Sequence, residues 1–599
     1  MARAVVWLLA LATLTLLQAT TTEAKFHEEL RITPLAHHGH VALTFKFSID
    51  WDADKSGHHF ELCPKSFCSL VASKHISEID LTMTKGRWNY EKWGNSPLPA
   101  PQGAELTVFY DETIDASKID EAWRATTNGL SGQFCASLEY MYRAPVENIT
   151  EFSTHPITSF RVQAQTSDEE PNIRLYKESK LKATKPGLLM RHSILHGETV
   201  CTENLTPWMK LLPCRSEAGL SRYLSNPSFL FNFDFVSLGV HFGETRQLEL
   251  TLLLVLDRKL PPVGASISTF QPPRQIDEFL LTRLLGVNVG ARHVCPLASS
   301  SKLIIDPIAT NPPASISTTC PGEAKSSEQF ECDLLALKDT PLEVTMNWDA
   351  QRAVEKPSMK GFVTAHRWLV GWGQQNGKLA LEIENNLART VSIRYRQVTP
   401  FMLRFKFHTM TSHFTSIKTH KTLDLDVSHF SAHPGQDRVS PTSMVLTLDL
   451  PARSKVIVTI EYDLVFLHWT EHPPDAHRGF DVSAGVLLVS VDSKALEEMQ
   501  KKAKEGYLAP VTTSSQGQHH FLIYTEGLVL SLPTPDFSMP YNVITLTSTV
   551  ITIFFAFSVK TLTRRYRHLF QDGEFKSDRA IVLIWRAISR RLFKKQEAA

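Results

Sequence analysis

The eight cysteines are the residues of this chain best suited to covalent chemistry. An even number permits four internal disulfide bonds, although sequence alone does not decide which cysteines pair. The closely spaced pairs Cys63/Cys68 and Cys320/Cys332 are plausible local loops, and a Cys201–Cys214 bond would close a surface loop in the same way. The remaining cysteines are Cys135 and Cys295.

Histidines and paired acids are the other candidate metal ligands. Metal ligands must converge in a fixed geometry, which nearness in sequence does not provide, so we interpret the histidines as neutral surface residues. Asp50 and Asp52 lack the spacing of a calcium loop. We therefore predict no metal and no cofactor. The histidines concerned are His37, His38, His40, His58 and His59.

No catalytic motif accompanies these residues. The chain has no GxxxxGK[ST] phosphate loop, no HExxH helix, no GxSxG elbow and no caspase-type cysteine signature. This favours a protein without a catalytic centre of its own. A luminal hydrolase whose site is assembled from distant residues stays an alternative.

Composition excludes several classes. The 599 residues carry 63 Lys+Arg against 62 Asp+Glu, a net charge of +1, and a nucleic-acid-binding surface needs a basic excess. With 43% hydrophobic and 9% aromatic residues the chain is not a disordered polymer. It is long enough for two or three domains.

Both ends of the chain carry membrane-targeting features. Residues 1–24 have a positive start, an apolar run and small residues at a cleavage site, as a secretory signal peptide does. Phe537–Val559 contains no charged residue and is followed by Lys560, Arg564, Arg565 and Arg567. The positive-inside rule then predicts one type I span at 543–562, with the bulk of the chain in an oxidising lumen.

Small and hydroxyl-bearing residues line one face of this span at helical spacing. Such a stripe lets a second helix approach closely, or each hydroxyl bonds the carbonyl four residues before it. We favour a helix partner. In the cytosolic tail, 563–599, the stretch Asp578–Lys595 resembles a basic amphipathic helix for an anionic membrane surface, with a solvated tail as the alternative. The stripe comprises Thr545, Ser548, Thr549, Thr552 and Ala556.

Period-two alternation dominates the luminal part and predicts half-buried strands. Val41–Trp51 is a clear example, Leu248–Leu256 is apolar enough for a central strand, and Met444–Leu450 with Val456–Leu464 predicts a hairpin. Helices are predicted only at Ile119–Leu130, with Trp123 inward, at Gln275–Leu285, and at Ser493–Lys504, which we expect to be exposed. Other predicted strands are 379–383, 391–395 and 401–407.

The fold class is therefore mainly β, with two antiparallel β-sandwich-like luminal domains and one C-terminal transmembrane helix. We place the N-terminal domain at 25–260 and the C-terminal domain at 328–531. A Pro/Ser-rich connector at 261–327 separates them. A juxtamembrane stalk, 532–542, precedes the span.

Two sequons predict glycosylation in the lumen. Asn148 and Asn204 each begin an Asn-X-Thr triplet, so we expect both on the surface. Pro207 follows the second triplet and hinders its use.

Several motifs together resemble one family. The most specific are Cys201–Cys214 (CTENLTPWMKLLPC) and Leu532–Ile544 (LPTPDFSMPYNVI). Their order and the type I topology are similar to the PIG-T family, the T subunit of the GPI transamidase complex. The supporting motifs are Gly86–Gly94 (GRWNYEKWG), Gly129–Leu138 (GLSGQFCASL), Cys295–Ser299 (CPLAS) and Trp469-Thr470-Glu471.

The resemblance implies a non-catalytic subunit in the endoplasmic-reticulum membrane. It implies that the chain holds and stabilises a caspase-like protease subunit, PIG-K, and helps position precursor proteins for attachment to a GPI lipid. The other implied partners are PIG-S, PIG-U and the GPAA subunit. Since the family's T subunit holds the protease by an interchain disulfide, the resemblance implies that role for Cys201, which leaves at least one other cysteine free or paired elsewhere.

The stalk is expected to be stiff and non-helical because it contains Pro533, Pro535 and Pro540. With Asp536 and Asn542, these residues would fix the luminal domains above membrane-embedded partners. Besides the luminal hydrolase, a cell-surface receptor or adhesion protein is an alternative, because many have a β-sandwich ectodomain on one span.

Overall fold

A computed structural model shows a mainly β chain with one C-terminal apolar helix. It describes residues 25–35, 40–50, 62–110, 114–142, 147–148, 176–177, 189–228, 233–243, 247–257, 278–305, 315–320, 322–326, 329–337, 341–347, 361–371, 375–423, 426–472, 477–495, 497–498, 512–513, 519–534, 536 and 538–564. The predicted signal peptide and the tail helix lie outside these residues.

The first part of the chain forms one eleven-stranded sheet, in the order β13-β14-β11-β1-β2-β9-β8-β3-β4-β7-β5. Neighbouring strands are antiparallel, apart from the parallel pair β1 and β11. Its strands are β1 (Lys25–Pro34), β2 (His40–Asp50), β3 (Ile76–Lys85), β4 (Gly103–Tyr110), β5 (Glu147–Asn148), β7 (Leu189–Leu195), β8 (Phe235–Gly243), β9 (Gln247–Asp257), β11 (Ala298–Ile305), β13 (Gly322–Ser326) and β14 (Gln329–Asp333).

One face of this sheet is covered by helices and a small three-stranded sheet, which together form the first core. The helices are α1 (Lys65–Ser73), α2 (Ile119–Phe134), α3 (Thr202–Met209) and α4 (Leu281–Leu285). The small sheet contains β10 (Glu278–Leu280), β12 (Ser315–Thr318) and β15 (Val344–Asn347). The first region thus agrees with the predicted mainly β fold class, as one large sheet with a cover of helices and a small sheet.

The second part of the chain is a sandwich of two larger sheets. A five-stranded sheet, β16-β17-β23-β19-β20, and a seven-stranded sheet, β21-β22-β18-β25-β27-β26-β6, enclose the second core. The strands are β6 (Tyr176–Lys177), β16 (Val363–Val370), β17 (Asn376–Asn385), β18 (Val391–Thr399), β19 (Leu403–Ser416), β20 (Thr422–Leu423), β21 (His429–His433), β22 (Thr442–Leu450), β23 (Ser454–Leu464), β25 (Val486–Val491), β26 (Thr512–Thr513) and β27 (His519–Tyr524), and β24 (Phe480–Val482) pairs with β28 (Leu528–Leu530).

The sheet of the first region also contributes its other face to the second core. Leu252 and Leu254 of β9 lie in the first core, whereas Leu253 and Val255 lie in the second. Since β9 is buried on both faces and sits between β2 and β8, the prediction of a central strand at 248–256 is confirmed. The two cores therefore belong to one compact unit, which extends to Pro533.

The predicted hairpin at 444–464 is wrong. β22 pairs with β18 and β21, whereas β23 pairs with β17 and β19 in the opposite sheet. Each strand has one buried face, and that pattern is the same whether consecutive strands pair in one sheet or face each other across a sandwich.

The predicted connector is also wrong in its second half. β11 and β13 fall inside 261–327, yet both are strands of the eleven-stranded sheet. Residues up to Met346 are buried in the first core. The first region therefore extends to 347, and the second begins at 361.

The helix predictions have mixed outcomes. Helix α2 covers the prediction at 119–130 and buries Trp123. Of the helix predicted at 275–285, the structure describes residues 278–285, in which Glu278–Leu280 is the strand β10 and Leu281–Leu285 is the short helix α4. Residues 493–495 and 497–498 are helical, and Ala495 is buried in the second core rather than exposed.

The membrane-spanning candidate is the helix α5 (Ser538–Leu562), whose segment Tyr541–Leu562 is long and apolar enough to cross a bilayer. The stalk is only partly non-helical, because Pro540 and Asn542 lie in the first turns of α5, where a proline does not break a hydrogen bond. Pro533 and Asp536 precede the helix, and Pro535 lies outside the described residues.

Candidate functional site

The candidate site is the exposed cysteine that begins helix α3. Cys201 occupies the N-cap position, with φ −135° and ψ 179°, and it is free and exposed. The helix is held against the sheet by Trp208, which is fully buried and donates its indole N–H to the Gly239 carbonyl at 3.0 Å. Its aromatic ring packs edge-on against Phe47. The apolar face of α3 therefore fixes where Cys201 emerges.

Asn204 locks the start of this helix to the end of α2. Its Oδ1 accepts the backbone N–H of Cys201 at 2.8 Å, and its Nδ2 donates to the carbonyls of Phe134 and Cys135 at 3.0 and 3.2 Å. Asn204 is fully buried. Because all these groups are backbone atoms near helix ends, one carboxamide satisfies donors and acceptors that a helix leaves open.

The expectation that Asn204 lies on the surface is wrong. A glycan on Nδ2 needs an exposed amide, and this amide is buried and occupied. Asn148 lies in β5, the terminal strand of the sheet, paired with Arg191, and its side chain lies outside the described residues. The signal that Asn204 is structural was its position three residues after an N-cap, where a side-chain oxygen reaches back to the capping N–H.

The cysteine pairing is now defined for all eight residues. Disulfides join Cys63–Cys68, Cys214–Cys295 and Cys320–Cys332. The two local pairs agree with the sequence interpretation, and the alternative Cys201–Cys214 bond is excluded because Cys214 is already bonded. The free cysteines are Cys135 and Cys201, both exposed.

Two further ties hold the segment after α3. The Cys214–Cys295 disulfide joins it to the turn before β11. The buried carboxylate of Glu28 accepts the backbone N–H of Leu220 at 3.1 Å and the hydroxyl of Ser301 at 2.5 Å. Gly219 lies beside it with φ +77°, and a Cβ there would overlap the Glu28 oxygens. Burial raises the pKa of Glu28 to about 7, although both hydrogen bonds lower it.

Of the other candidate metal ligands, the structure describes only His40 and Asp50. His40 packs beside Trp93 with Nε2 3.7 Å from Asp234, whereas His37, His38, His58, His59 and Asp52 lie outside the described residues. Asp50 is half-buried, and burial raises its pKa. Within the part of the chain that the structure describes, no three His, Cys, Asp or Glu side chains are grouped to hold a metal.

The hydroxyls of the span bond within their own helix. Thr545, Thr549 and Thr552 donate to the carbonyls of Tyr541, Thr545 and Ser548 at 2.7–2.8 Å. These are the bonds expected when each hydroxyl bonds the carbonyl four residues before it, which was the alternative to a helix partner. To a partner helix, the stripe would therefore present small side chains that allow close approach, because these threonine hydroxyls already donate within α5.

Sequence reasoning missed the structural part of the GRWNYEKWG motif. Trp88, Tyr90 and Trp93 are buried in the second core although the motif precedes β4 of the first region. Arg87 donates to the Ala365 carbonyl at 2.9 Å and pairs with Glu526 at 2.7 Å. Two tryptophans and one tyrosine within six residues, 88–93, were the available signal of a buried segment.

These features define a mainly β protein with one apolar helix able to cross a membrane, three internal disulfides and an exposed cysteine at a braced helix start. Residues 9–263 and 274–586 match the family model described as "Gpi16 subunit, GPI transamidase component". The chain belongs to this family, and it is a subunit of the GPI transamidase.

Curated relatives agree over nearly the whole chain. The "GPI-anchor transamidase component PIGT" of Homo sapiens is 31% identical over 90% of this chain and 90% of its own length. The "GPI transamidase component PIG-T homolog" of Schizosaccharomyces pombe is 26% identical over 97% and 96%. The "GPI transamidase component GPI16" of Saccharomyces cerevisiae is 24% identical over 86% and 83%.

Proposed function

We propose that this chain is the non-catalytic subunit that holds and stabilises the caspase-like protease subunit PIG-K of the transamidase through Cys201. It helps position the precursor protein for GPI attachment in the lumen of the endoplasmic reticulum, with its bulk in the lumen and α5 as a type I span. PIG-S, PIG-U and the GPAA subunit are its other proposed partners. No catalytic step is assigned to the chain itself. In the transamidation that this function implies, a thiolate of the protease subunit forms a thioester with the precursor protein, and the amine of the GPI lipid then attacks that thioester.

The observation that carries this proposal is the state of Cys201. It is exposed and unpaired, while its own backbone is held by the buried Asn204. A thiol that is accessible yet fixed in position suits an interchain disulfide, because bond formation then orders few additional groups. An oxidising lumen permits such a bond.

The test is a mild-detergent pull-down of the tagged full chain, analysed on non-reducing and reducing gels. We expect a reducible adduct to the protease subunit that Cys201→Ser abolishes. Cys135→Ser is the matched control, since it removes the other exposed thiol and should keep the adduct. A protease that co-purifies without any adduct in the wild type would discard the tether and keep the subunit role.

The stalk proposal rests on Leu532, which is buried in the second core, and on Pro533 directly after it. A short proline-containing exit from a buried anchor restricts where the chain leaves the luminal unit. Replacing residues 533–537 by Gly/Ser of equal length, with Leu532 kept, should reduce co-purification of the membrane subunits. Intact assembly and activity would contradict the proposal.

The helix-partner proposal is tested by side-chain size. Because the threonine hydroxyls bond within the helix, Thr549→Val should leave assembly unchanged, whereas Ser548→Leu should weaken it by blocking close approach. Thr547→Leu, on the opposite face, is the matched control. Equal effects at Ser548 and Thr547 would show that the stripe is not an interface.

A further inference from the structure

Two free thiols, one at the end of α2 and one at the start of α3, could take part in disulfide chemistry. Among the eight cysteines only Cys135 and Cys201 are outside the three internal disulfides, and both are exposed. The proposed tether uses Cys201 and leaves Cys135 exposed. In an oxidising compartment an accessible thiol is reactive toward any disulfide within its reach.

The backbone brings these two cysteines together although they are far apart in sequence. Cys135 is the C-cap of α2, in the left-handed conformation with φ 51°, and Cys201 is the N-cap of α3. The Asn204 carboxamide lies between them, bonded on one side to the Cys201 N–H and on the other to the Cys135 carbonyl. A single side-chain amide thus contacts the backbones of both residues.

We propose that Cys135 is the resolving thiol of the Cys201 tether, an inference that rests on the proposed function. The Cys135 thiolate attacks Cys201 Sγ in the mixed disulfide with the protease subunit. The new bond joins Cys135 to Cys201, the interchain S–S bond breaks, and the electron pair leaves on the partner's cysteine as a thiolate. One disulfide replaces another, so no external oxidant or reductant is consumed.

The geometry makes this exchange local. Cys135 terminates a helix, and helix ends move more readily than helix interiors, so the sulfur atoms can meet by displacement of the α2 end while Trp208 keeps α3 on the sheet. A neighbouring thiol also has a millimolar or higher effective concentration toward Cys201. Cys135 is therefore expected to attack Cys201 Sγ faster than dilute free thiols in solution do.

The reverse reaction follows from the same arrangement. A protease subunit thiolate that attacks Cys201 in the Cys135–Cys201 disulfide forms the tether and returns Cys135 to the free thiol. The unassembled chain can therefore store an oxidised bond, and its transfer to the protease subunit is one route to the tether rather than a requirement for it. The tether becomes a reversible connection instead of a permanent one.

The test follows the adduct in the intact detergent-purified complex. The complex is isolated at acidic pH, where thiols stay protonated, and shifted to about pH 8 without reductant. Samples taken over time are quenched with N-ethylmaleimide and run on non-reducing gels. We expect the wild-type adduct to decay while the free chain accumulates with tryptic peptides 125–143 and 192–210 joined by a disulfide. In Cys135→Ser and Cys135→Ala the decay should be about tenfold slower or absent.

Ser137→Ala is the control, since it alters the end of α2 and keeps both thiols. Equal decay in the wild type and Cys135→Ser, with no joined peptides, would overturn the exchange and leave the tether intact. No adduct in the wild type, or an adduct that survives Cys201→Ser, would instead overturn the tether and the exchange with it. The peptide mapping uses the wild-type chain, so a variant that fails to fold does not remove the test.

Discussion

The two regions of the compact unit that extends to Pro533 are stabilised by different chemistry. All eight cysteines lie in the first region, between Cys63 and Cys332, and residues 361–533 contain none. The second region relies on a sandwich core and on charged contacts at its junction with the GRWNYEKWG segment. A disulfide, whether internal or to a partner, can therefore form only from the first region.

Two carboxylates that are shielded from solvent to different extents also differ between the regions. In the first region Glu28 is contacted by neutral donors, Ser301 and the Leu220 N–H. At the junction with the second region, Glu526 pairs with Arg87 and His366 at 2.7 and 2.9 Å. Burial acts to raise the pKa of Glu526, but these partners lower it overall. The pKa of the buried Glu28 is thus raised to about 7, whereas that of the half-buried Glu526 is lowered and its carboxylate stays ionised.

Buried asparagines, by contrast, are used alike. Asn385 is fully buried, and its Nδ2 donates to the carbonyls of Arg389, Leu450 and Pro451 at 2.8–3.1 Å. It closes turns of the sandwich as Asn204 closes helix ends. A buried asparagine that bonds backbone groups therefore occurs in both regions. Only Asn204 in the first region lies next to an exposed thiol, so the feature that distinguishes the first region is Cys201.

The largest expected effect on stability comes from removing the Cys214–Cys295 disulfide. Converting Cys214 and Cys295 together to Ser opens a loop with a sequence separation of 81 residues and should lower the free energy of unfolding by about 4 kcal/mol. Hydrogen exchange should show lost protection in β1 and β11 before β18 and β22. The pair Cys320/Cys332, with a separation of 12, is the control and should cost about 3 kcal/mol. Equal loss of protection in both regions would erase the contrast between them.

The second effect separates the two asparagines. Asn204→Ala and Asn385→Ala each leave buried backbone groups without a partner and should each lower the free energy of unfolding by about 2–4 kcal/mol, measured by urea unfolding. Only Asn204→Ala should reduce the adduct formed per folded chain, because only Asn204 holds Cys201. A matched adduct loss in Asn385→Ala would show that stability, not the position of Cys201, controls the tether.

The third effect concerns pH. Since the folded-state pKa of Glu28 is raised from 4.5 to about 7, the native state binds more protons, and stability should fall by about 1–3 kcal/mol as pH rises through this interval. Glu28→Gln should flatten the decline. Glu526 has a lowered pKa, so its contribution is present above the ordinary carboxyl pKa and is lost as pH falls. Urea unfolding from about pH 3 to pH 8 checks both signs, with the Glu28 decline above about pH 4.5 and the Glu526 loss below it. A decline unchanged in Glu28→Gln would refute the assignment.

The smallest effect distinguishes the two sequons. Asn148→Gln should remove the mobility shift produced by endoglycosidase and change the free energy of unfolding by less than about 0.5 kcal/mol. Asn204→Gln should remove no shift but should destabilise the chain. A glycan released from Asn204 would contradict the buried amide.

The sequence by itself determined the local features. The uncharged run of the span, the alternating β2, the helix α2 and the two short disulfide loops follow from periodicity, composition and short spacing, which act between near neighbours. The family motifs also point to Cys201 as the tether cysteine, which stays a prediction.

Only the tertiary structure decided which distant residues meet. It placed β22 and β23 in opposite sheets, joined Cys214 to Cys295, and buried Asn204 between Cys201 and the end of α2. These contacts connect positions many residues apart, and a hydrophobic pattern records that a side chain is buried but not against what. The second thiol beside Cys201 is a product of that packing.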